Sequence, residues 1–490
     1  MFLIACSALV TVLFFLYGFN CYYLLSARRR YVCPVSPPLG RDRPSIAIHL
    51  PVYNERYVVD RLLAACGALV CSYGRDRARI VVIDDSDDDT AAEVDALAAR
   101  LSATGITVDV LRRPQRTGFK AGALQFALED CREEYIAVLD ADFVPEPFFL
   151  SRTAPFMVAD ETVGVVQCRW EHMNASYNSV TKAVALGIDV HFFVEQPARQ
   201  AAGCFLNFNG SAGLIRTAAL RQAGGWQADT LSEDLDASYR MQLAGYRILY
   251  LRDVSTPCEV PPTLPSFRRQ QARWACGSLR AARKLLPRVL GNRSLGALRR
   301  LQGFLHLTAY MVHPLMFFSF LLGACGALLA ADAPFRSVFG APSTALWCVI
   351  GACALAFWVC PLTVLRARQT SILRSVPTIL VLGLLGFGIC FSNTIQAARA
   401  LFGRRAVSFR RTPKYSIQHR ADDWRGKKYQ VPLDPVNLVE AGLAALGAVG
   451  TLCAFFRGDY LMTLFLLFYT AAFSFVIIMT VLQGRKEMAL

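Results

Sequence analysis

The uneven distribution of apolar residues constrains this chain more than any other feature. Residues 45 to 300 mix apolar and charged positions in the way of a soluble domain, whereas Phe2 to Leu25 and most of 304 to 483 are apolar and nearly uncharged. A run of about 20 apolar residues is the length that crosses a bilayer, so the chain is not expected to fold as one water-soluble globule. Its balance of 54% hydrophobic to 18% charged residues over 490 positions points the same way. The expectation is one soluble domain set between membrane helices.

Charge orients that arrangement. Arg28, Arg29 and Arg30 follow the first apolar stretch, and basic residues flanking a span stay on the cytoplasmic side. The soluble region is therefore predicted to be cytoplasmic. The stretch lacks a basic start and a small-residue cleavage site, which favours an anchor over a cleaved signal peptide. Further spans are predicted at Phe304 to Leu329, Ala345 to Leu365, Asn437 to Phe456 and Tyr460 to Leu482. A sixth apolar stretch, Val376 to Ile395, lies between Arg366, Arg368 and Arg374 on one side and Arg399, Arg404, Arg405, Arg410 and Arg411 on the other. A full crossing would export one of these clusters, so the stretch reads as interfacial or re-entrant. The resulting plan is an N-terminal helix over 1–27, a catalytic domain over 45–286, interfacial helices and two spans over 287–400, a basic segment over 401–433, and two spans over 434–483.

A formal charge of +15 does not call for nucleic acid, because the arginines cluster beside apolar spans and no nucleic-acid motif accompanies them. The 16 cysteines show neither a CxxC pair nor a Cys/His cluster at zinc spacing, and read as reduced core residues.

Inside the soluble region, Ile46 to Leu50 and Ile80 to Ile83 are short apolar runs. They end in Pro51-Val52-Tyr53-Asn54-Glu55 and Asp84-Asp85-Ser86, with helical patterns over Asp60 to Leu69 and Thr90 to Leu101. This β-α-β-α order predicts a nucleotide-binding α/β sheet, with ligands at the carboxyl ends of its strands. A third run, Tyr135 to Leu139, ends in Asp140-Ala141-Asp142. Two hard carboxylates one residue apart can hold Mg²⁺ or Mn²⁺ against a diphosphate; a solvated strand-end turn is the plain alternative. Ser232-Glu233-Asp234 precedes a helical stretch from Leu235 to Leu243. Asp234 suits the base that an inverting sugar transfer needs, with a simple helix N-cap as its alternative. In Gln270-Gln271-Ala272-Arg273-Trp274 the indole can stack on a sugar and the guanidinium can grip phosphate. The ten Lys and Arg between Pro261 and Leu301, with no Asp or Glu, also suit a helix lying along headgroups.

Taken in order, Asp84/Asp85, Asp140-Asp142, Ser232-Asp234 and Gln270-Trp274 match the D, DxD, (T/S)ED, QxxRW signature. The chain thus resembles the processive branch of the family 2 glycosyltransferases, the cellulose synthase superfamily, and within it the cellulose synthase-like A glucomannan and mannan synthases and their bacterial homologues. Further strings carry the likeness: PVYNE at 51–55, GFKAGAL at 118–124, DADFVPEPFFL at 140–150, FNGSAG at 208–213 and QQARWACG at 270–277.

The resemblance implies a GT-A-like catalytic domain joined to about five transmembrane helices and interfacial helices, and metal-dependent polymerisation of a hexose from GDP-mannose or UDP-glucose. It implies that Tyr53 and Glu55 border the base and ribose pocket, that Asp84 or Asp85 contacts the nucleoside, and that Lys120 lies in the same region. Asp140 and Asp142 would hold diphosphate and metal, and Asp234, beside Glu233, would be the base. Gln270, Arg273 and Trp274 would hold acceptor and pyrophosphate, with Asn209-Gly210-Ser211 near the acceptor terminus. Phe409-Arg410-Arg411-Thr412-Pro413-Lys414 is similar to the FxVTxK gating loop, with Thr412 and Lys414 reaching the diphosphate and Arg411 replacing valine. Val166-Gln167-Cys168-Arg169-Trp170 departs from the QTP string of many cellulose synthases, so their acceptor details do not transfer. Only Gln483 to Leu490 follow the last span, and regulation by a cyclic-dinucleotide domain is not expected within the chain.

His172 and His191 have no ligand-spaced partner and read as packing or surface residues, while Glu195-Gln196 suits either an acceptor groove or a helix core. Trp347 and Trp358 are available for stacking on sugar. The expected partners are a nucleotide-sugar, a glycan acceptor and the bilayer, with accessory export subunits left open. The expected setting is a bacterial inner membrane, or the Golgi in a plant-like cell. The rival within the enzyme class is single-sugar transfer to a membrane lipid; outside it, a transporter with a degenerate domain is disfavoured because every carboxylate of the signature is present.

Overall fold

The computed structural model describes residues 2–40, 42–329, 344–403, 411–432 and 434–484. Its soluble part is built on seven strands: β1 (Ile46–Val52), β2 (Ala78–Asp84), β3 (Val108–Leu111), β4 (Tyr135–Val138), β5 (Val163–His172), β6 (Gly213–Arg216) and β7 (Arg247–Cys258). They pair in the order β3-β2-β1-β4-β6-β5-β7. The first four run parallel, β6 is antiparallel to both β4 and β5, and β5 is parallel to β7. β4 is apolar on both faces and β1 is too apart from the buried His49, and both are almost wholly buried, the pattern of parallel strands covered on both sides.

The reversal at β6 determines where the site lies. Val138 pairs with Gly213, and the Ala212 N–H donates to the Val138 carbonyl at 3.0 Å. The carboxyl end of β4, carrying Asp140 and Asp142, therefore lies against the FNGSAG loop that enters β6. The two segments are some seventy residues apart in the chain, and strand pairing alone brings them together.

Helices α2 (Val59–Tyr73), α3 (Thr90–Ala103), α4 (Phe119–Glu129), α5 (Phe149–Ala159), α6 (Ser179–Val190), α7 (Gln196–Ala201), α8 (Thr217–Gln222) and α9 (Glu233–Leu243) connect the strands. One sheet face packs on α2 and α5 through Leu62, Leu63, Leu69, Leu150 and Met157. The opposite face shares its core with Leu24 and Ala27 at the end of α1 (Phe2–Arg28). Cys360, Val364 and Ile379 join that same core, so the sheet and the apolar helices form one packed body.

Beyond the sheet run α10 (Leu264–Gly291), α11 (Ala297–Leu307), α12 (Val312–Leu329), α13 (Thr344–Ala367), α14 (Ile372–Gly388), α15 (Cys390–Phe402), α16 (Val436–Phe456) and α17 (Tyr460–Gly484). Four helical stretches among the described residues are long and apolar enough to cross a membrane: Leu9–Arg28, Ala309–Leu329, Val436–Phe456 and Tyr460–Gln483. The pair α14 and α15, bent by 44° at its junction, makes a fifth if counted as one span. That bend falls inside the stretch expected to be interfacial or re-entrant. One expected boundary changes: Phe304 belongs to α11, whose Arg299, Arg300 and His306 make it two-sided, and the apolar helix starts only after the turn at Ala309–Met311.

Candidate active site

α4 enters through Gly118 and Phe119, both at positive φ (70° and 51°). A left-handed phenylalanine costs about 1–2 kcal/mol, and this turn directs Lys120 at the pocket. The Lys120 ammonium lies 2.6 Å from Asp140 Oδ1 and 3.5 Å from Glu233 Oε1, and donates to the Gly210 carbonyl at 2.9 Å. Burial alone would lower its pKa, but the Asp140 and Glu233 carboxylates prevail and hold it above the usual lysine range. Asp140 is fixed in turn by its N–H, which donates to Ser211 Oγ at 2.9 Å.

β4 ends at Val138, so Asp140 and Asp142 sit just beyond it, Asp142 in a turn. Both nonetheless line one cavity of about 70 Å³, shared with Lys120, Asn209, Glu233, Asp234, Gln270, Arg273, Trp274 and Lys414. Asp142 is buried, with Lys414 Nζ at 2.6 Å and the Glu259 N–H at 3.1 Å from its Oδ2.

Asp234 is not the cap of α9. Ser232 holds that position without a side-chain bond, and Asp234 lies in the first turn with its Oδ1 accepting the Leu235 N–H at 2.8 Å. Burial, and then the neighbouring Glu233 carboxylate, push the Asp234 carboxyl up to about 7, opposed by Lys120 and Arg273. The Gly210 backbone comes so close that a Cβ there would stand 2.9 Å from Asp234 Oδ2. α10 starts at a Thr263 cap that accepts the Ser266 N–H. It presents Gln270, Arg273 and Trp274 to the cavity, and one turn later Gly277 touches the Ser232 loop so closely that a Cβ would overlap Ser232 Oγ. The QxxRW helix and the SED turn are thus in backbone contact.

The other sequence-identified residues lie outside this cavity. Arg116 stacks 3.3 Å over the Tyr53 ring, Asp84 is gripped by Arg112 at 2.9 Å, and Asp85 by Arg113 at 3.0 Å. Both carboxylates are thus held by arginines at the end of their strand. Glu55 pairs with Arg411 at 2.8 Å; burial pushes its carboxyl up to about 7, against the pull of Arg411 and Lys414. Thr412 is buried beside it in sequence, while Phe409 and Arg410 lie outside the described residues. The segment from 411 clasps the strand ends through Lys414 to Asp142, Lys428 to Asp89 at 3.0 Å, and Tyr429 to Asp88.

Three further residues, Gln167, Glu259 and His191, shape the site although the sequence assigned them no role in it. Gln167 is fully buried; its amide donates to the Ser211 carbonyl at 3.1 Å and its oxygen accepts the Asn209 N–H at 2.8 Å, which fixes the FNGSAG loop. Glu259 pairs with Arg61 at 2.7 Å behind Asp142. His191, read as packing or surface, instead bridges Glu195 (2.9 Å) and Asn209 (3.0 Å). The only sequence signal for these was the departure from QTP at 166–170. Of the two tryptophans expected in the apolar helices, Trp358 lines a cavity between helices and Trp347 lies outside the described side chains.

The two carboxylates fit a hard divalent ion, which is commonly held by one or two carboxylates with phosphate oxygens and waters completing its shell. Here each carboxylate is paired with a lysine, Asp140 with Lys120 and Asp142 with Lys414, and among the described residues no group of three or more His, Cys, Asp or Glu side chains could hold a metal.

A family model described as "Glycosyltransferase like family 2" matches residues 44–277. Glucomannan 4-beta-mannosyltransferase 1 of Oryza sativa subsp. japonica is 38% identical over 277 residues, covering 54% of this chain and 53% of the relative. Probable glucomannan 4-beta-mannosyltransferase 10 of Arabidopsis thaliana is 32% identical over 352 residues, covering 69% and 63%. The matches thus span between about half and two thirds of these relatives' own length. Among solved structures, a mannosyltransferase from Pyrobaculum calidifontis in complex with GDP-Man and Mn2+ superposes with a TM-score of 0.55 at 22% identity, over 82% of this chain and all of that one. That likeness carries the fold.

Proposed function

Because the chain belongs to the family 2 glycosyltransferases, we propose that it is a membrane-embedded, inverting transferase that extends a β-linked glycan from GDP-mannose at the cytoplasmic face. The choice of mannose over glucose is supported by the names of the plant relatives and by the ligand of the archaeal structure. The observation that carries the reading is the single cavity holding Asp234, with its raised pKa, opposite Lys120, Lys414 and Arg273.

In that cavity an acceptor hydroxyl attacks the anomeric carbon while Asp234 takes its proton. The bond from the anomeric carbon to the diphosphate oxygen breaks, its electron pair leaves with the nucleoside diphosphate, and one displacement inverts the centre. Lys414 and Arg273 face the departing charge. Asp140 and Asp142 are the residues that would hold a divalent ion, which supplies further positive charge to the diphosphate when bound. Trp274 offers a ring face to the acceptor sugar.

At 70 Å³ the cavity is far below the roughly 300 Å³ at which ligand pockets begin. The contacts of the 411–429 segment at Asp142, Asp88 and Asp89 are the ones that donor entry would displace. The test supplies membranes containing wild type or Asp234→Asn with radiolabelled GDP-mannose or UDP-glucose, then separates insoluble polymer from organic-extractable lipid. Wild-type-only label in polymer from GDP-mannose supports the reading. Label from UDP-glucose alone, or in lipid alone, replaces it, and equal label with Asp234→Asn removes that residue as base.

A further inference from the structure

A second cavity, of about 690 Å³, lies among α1, α12, α13, α14 and α17. Its walls are apolar apart from Thr11, Glu195, His313, Ser319, the Trp358 indole and Tyr469, and the Tyr469 hydroxyl already donates to the Met316 carbonyl at 2.9 Å. A glycan threaded here would bury hydroxyls with few partners, which is costly. A hydrocarbon chain matches such walls without that loss.

The cavity is not isolated from the chemistry. Glu195 lines it, His191 Nδ1 lies 2.9 Å from Glu195 Oε2, and His191 Nε2 lies 3.0 Å from Oδ1 of Asn209, which lines the catalytic cavity. His191–Glu195 forms a π-helical turn between α6 and α7, an irregularity that recurs at functional sites. Three side chains thus join an apolar chamber to the cavity that holds Asp234.

We propose that this chamber seats the hydrocarbon chain of one membrane lipid, with a neutral, hydroxyl-bearing head at Glu195 and His191. The proposal rests on the reading that these helices stand in a bilayer, where hydrocarbon is the available apolar occupant. The Glu195 carboxylate selects the head, since it accepts a hydroxyl and repels a phosphate. Occupancy is felt at Asn209, because the head shares Glu195 with His191.

The cavity can be filled selectively. Gly386 lines it and a Cβ there would meet nothing within 4 Å, whereas Gly442 has equally open surroundings and does not line it. The full chain in nanodiscs is exposed to a diazirine-bearing monoacylglycerol or a diazirine-bearing phosphatidic acid, irradiated, and its labelled peptides are mapped. The monoacylglycerol is expected to mark 309–329 and 372–388, to fall about tenfold in Gly386→Leu, and to persist in Gly442→Leu, with the phosphatidic acid marking more weakly. Undiminished labelling of Gly386→Leu, or stronger labelling by the phosphatidic acid, overturns the proposal. So does a Gly386→Leu protein that labels like wild type yet makes shortened polymer, the result for a glycan passage. Labelling needs no donor, so failure of the transferase reading would show in sugar incorporation and leave this measurement intact. A thermal melt and size-exclusion profile matching wild type verify that Gly386→Leu is folded.

Discussion

Replacing Gly210 with alanine would place one methyl group against the proposed base. Gly210 has a φ of +78°, and a Cβ there would lie 2.9 Å from Asp234 Oδ2 and 3.3 Å from Lys120 Nζ. Two separable costs follow. A left-handed backbone penalises any residue with a Cβ by about 1–2 kcal/mol, which lowers stability. Comfortable contacts to carbon lie near 3.5 to 4 Å, so the carboxylate or the ammonium must also retreat by several tenths of an ångström. Displacements approaching 1 Å at a reacting group cost about 100-fold in rate. Gly203 supplies the control, because it shares a positive φ (+64°) but a Cβ there meets nothing within 4 Å. The assay compares initial rates of mannosyl transfer and Tm for Gly210→Ala and Gly203→Ala in equal amounts of folded protein. Both are expected to lose similar stability, and only Gly210→Ala to lose about 100-fold in kcat. Equal rates in the two variants would refute the idea that the FNGSAG loop sets the position of Asp234.

The remaining expectations concern protons, backbone contact and charge. With Asp234 titrating near 7, transfer should fall as pH drops below 7, when the base becomes protonated, and level off above it. The same shift has a stability consequence: the folded pKa lies above that of an unfolded aspartate, about 3.9, so the stabilisation is complete below that pH and lost as pH rises through about 7. Tm measured against pH should therefore decline less across this window in Asp234→Asn; an unchanged slope would show that the carboxyl is not shifted. Gly277→Ala would drive a methyl into Ser232 Oγ and to 2.9 Å from the Leu231 carbonyl carbon, costing about 1–3 kcal/mol together with activity, and a variant of wild-type Tm and rate would contradict that contact. Chelation with EDTA should abolish transfer and added Mn²⁺ or Mg²⁺ restore it, while full activity in chelator would remove the metal from the reading. Lys414→Met leaves the Asp142 carboxylate buried without its partner and should raise the donor KM, measured by donor titration, with an unchanged KM counting against a diphosphate role for Lys414.

Much of the α/β framework was legible because buried parallel strands announce themselves as short apolar runs ending in acidic loops. Ile46 to Leu50, Ile80 to Ile83 and Tyr135 to Leu139 all became strands within two or three residues of the expected ends. The helix expected over Asp60 to Leu69 runs on to Tyr73, because its end is set by Gly74 at a φ of 136° rather than by the apolar pattern. Motif order brought Asp140, Asp142, Asp234, Arg273 and Trp274 to notice, and the structure gathers them around one cavity. What stayed hidden was pairing between distant polar residues. Nothing in the sequence near Gln167 signals that it holds Asn209, or near Glu259 that it backs Asp142, since side-chain bonds across a mixed sheet leave no periodic trace. The start of the span after Phe304 was misplaced for a related reason: a two-sided helix and an apolar one adjoin there, and a hydropathy run does not register the turn between them.

The helix α10 bears Gln270, Arg273 and Trp274, and it is also fastened to the apolar helices. Arg268 pairs with Glu440 of α16 at 2.8 Å, the Leu264 N–H donates to Gln483 of α17 at 2.7 Å, and Arg283 donates to the Leu401 carbonyl at 3.2 Å at the end of α15. In the proposed enzyme the acceptor seat is therefore held at a fixed depth relative to the bilayer, like the stator of a motor. Each addition leaves a product one sugar too long for that seat. The step that resets the cycle then belongs to the glycan, which has to advance past a stationary Trp274 by the length of one residue.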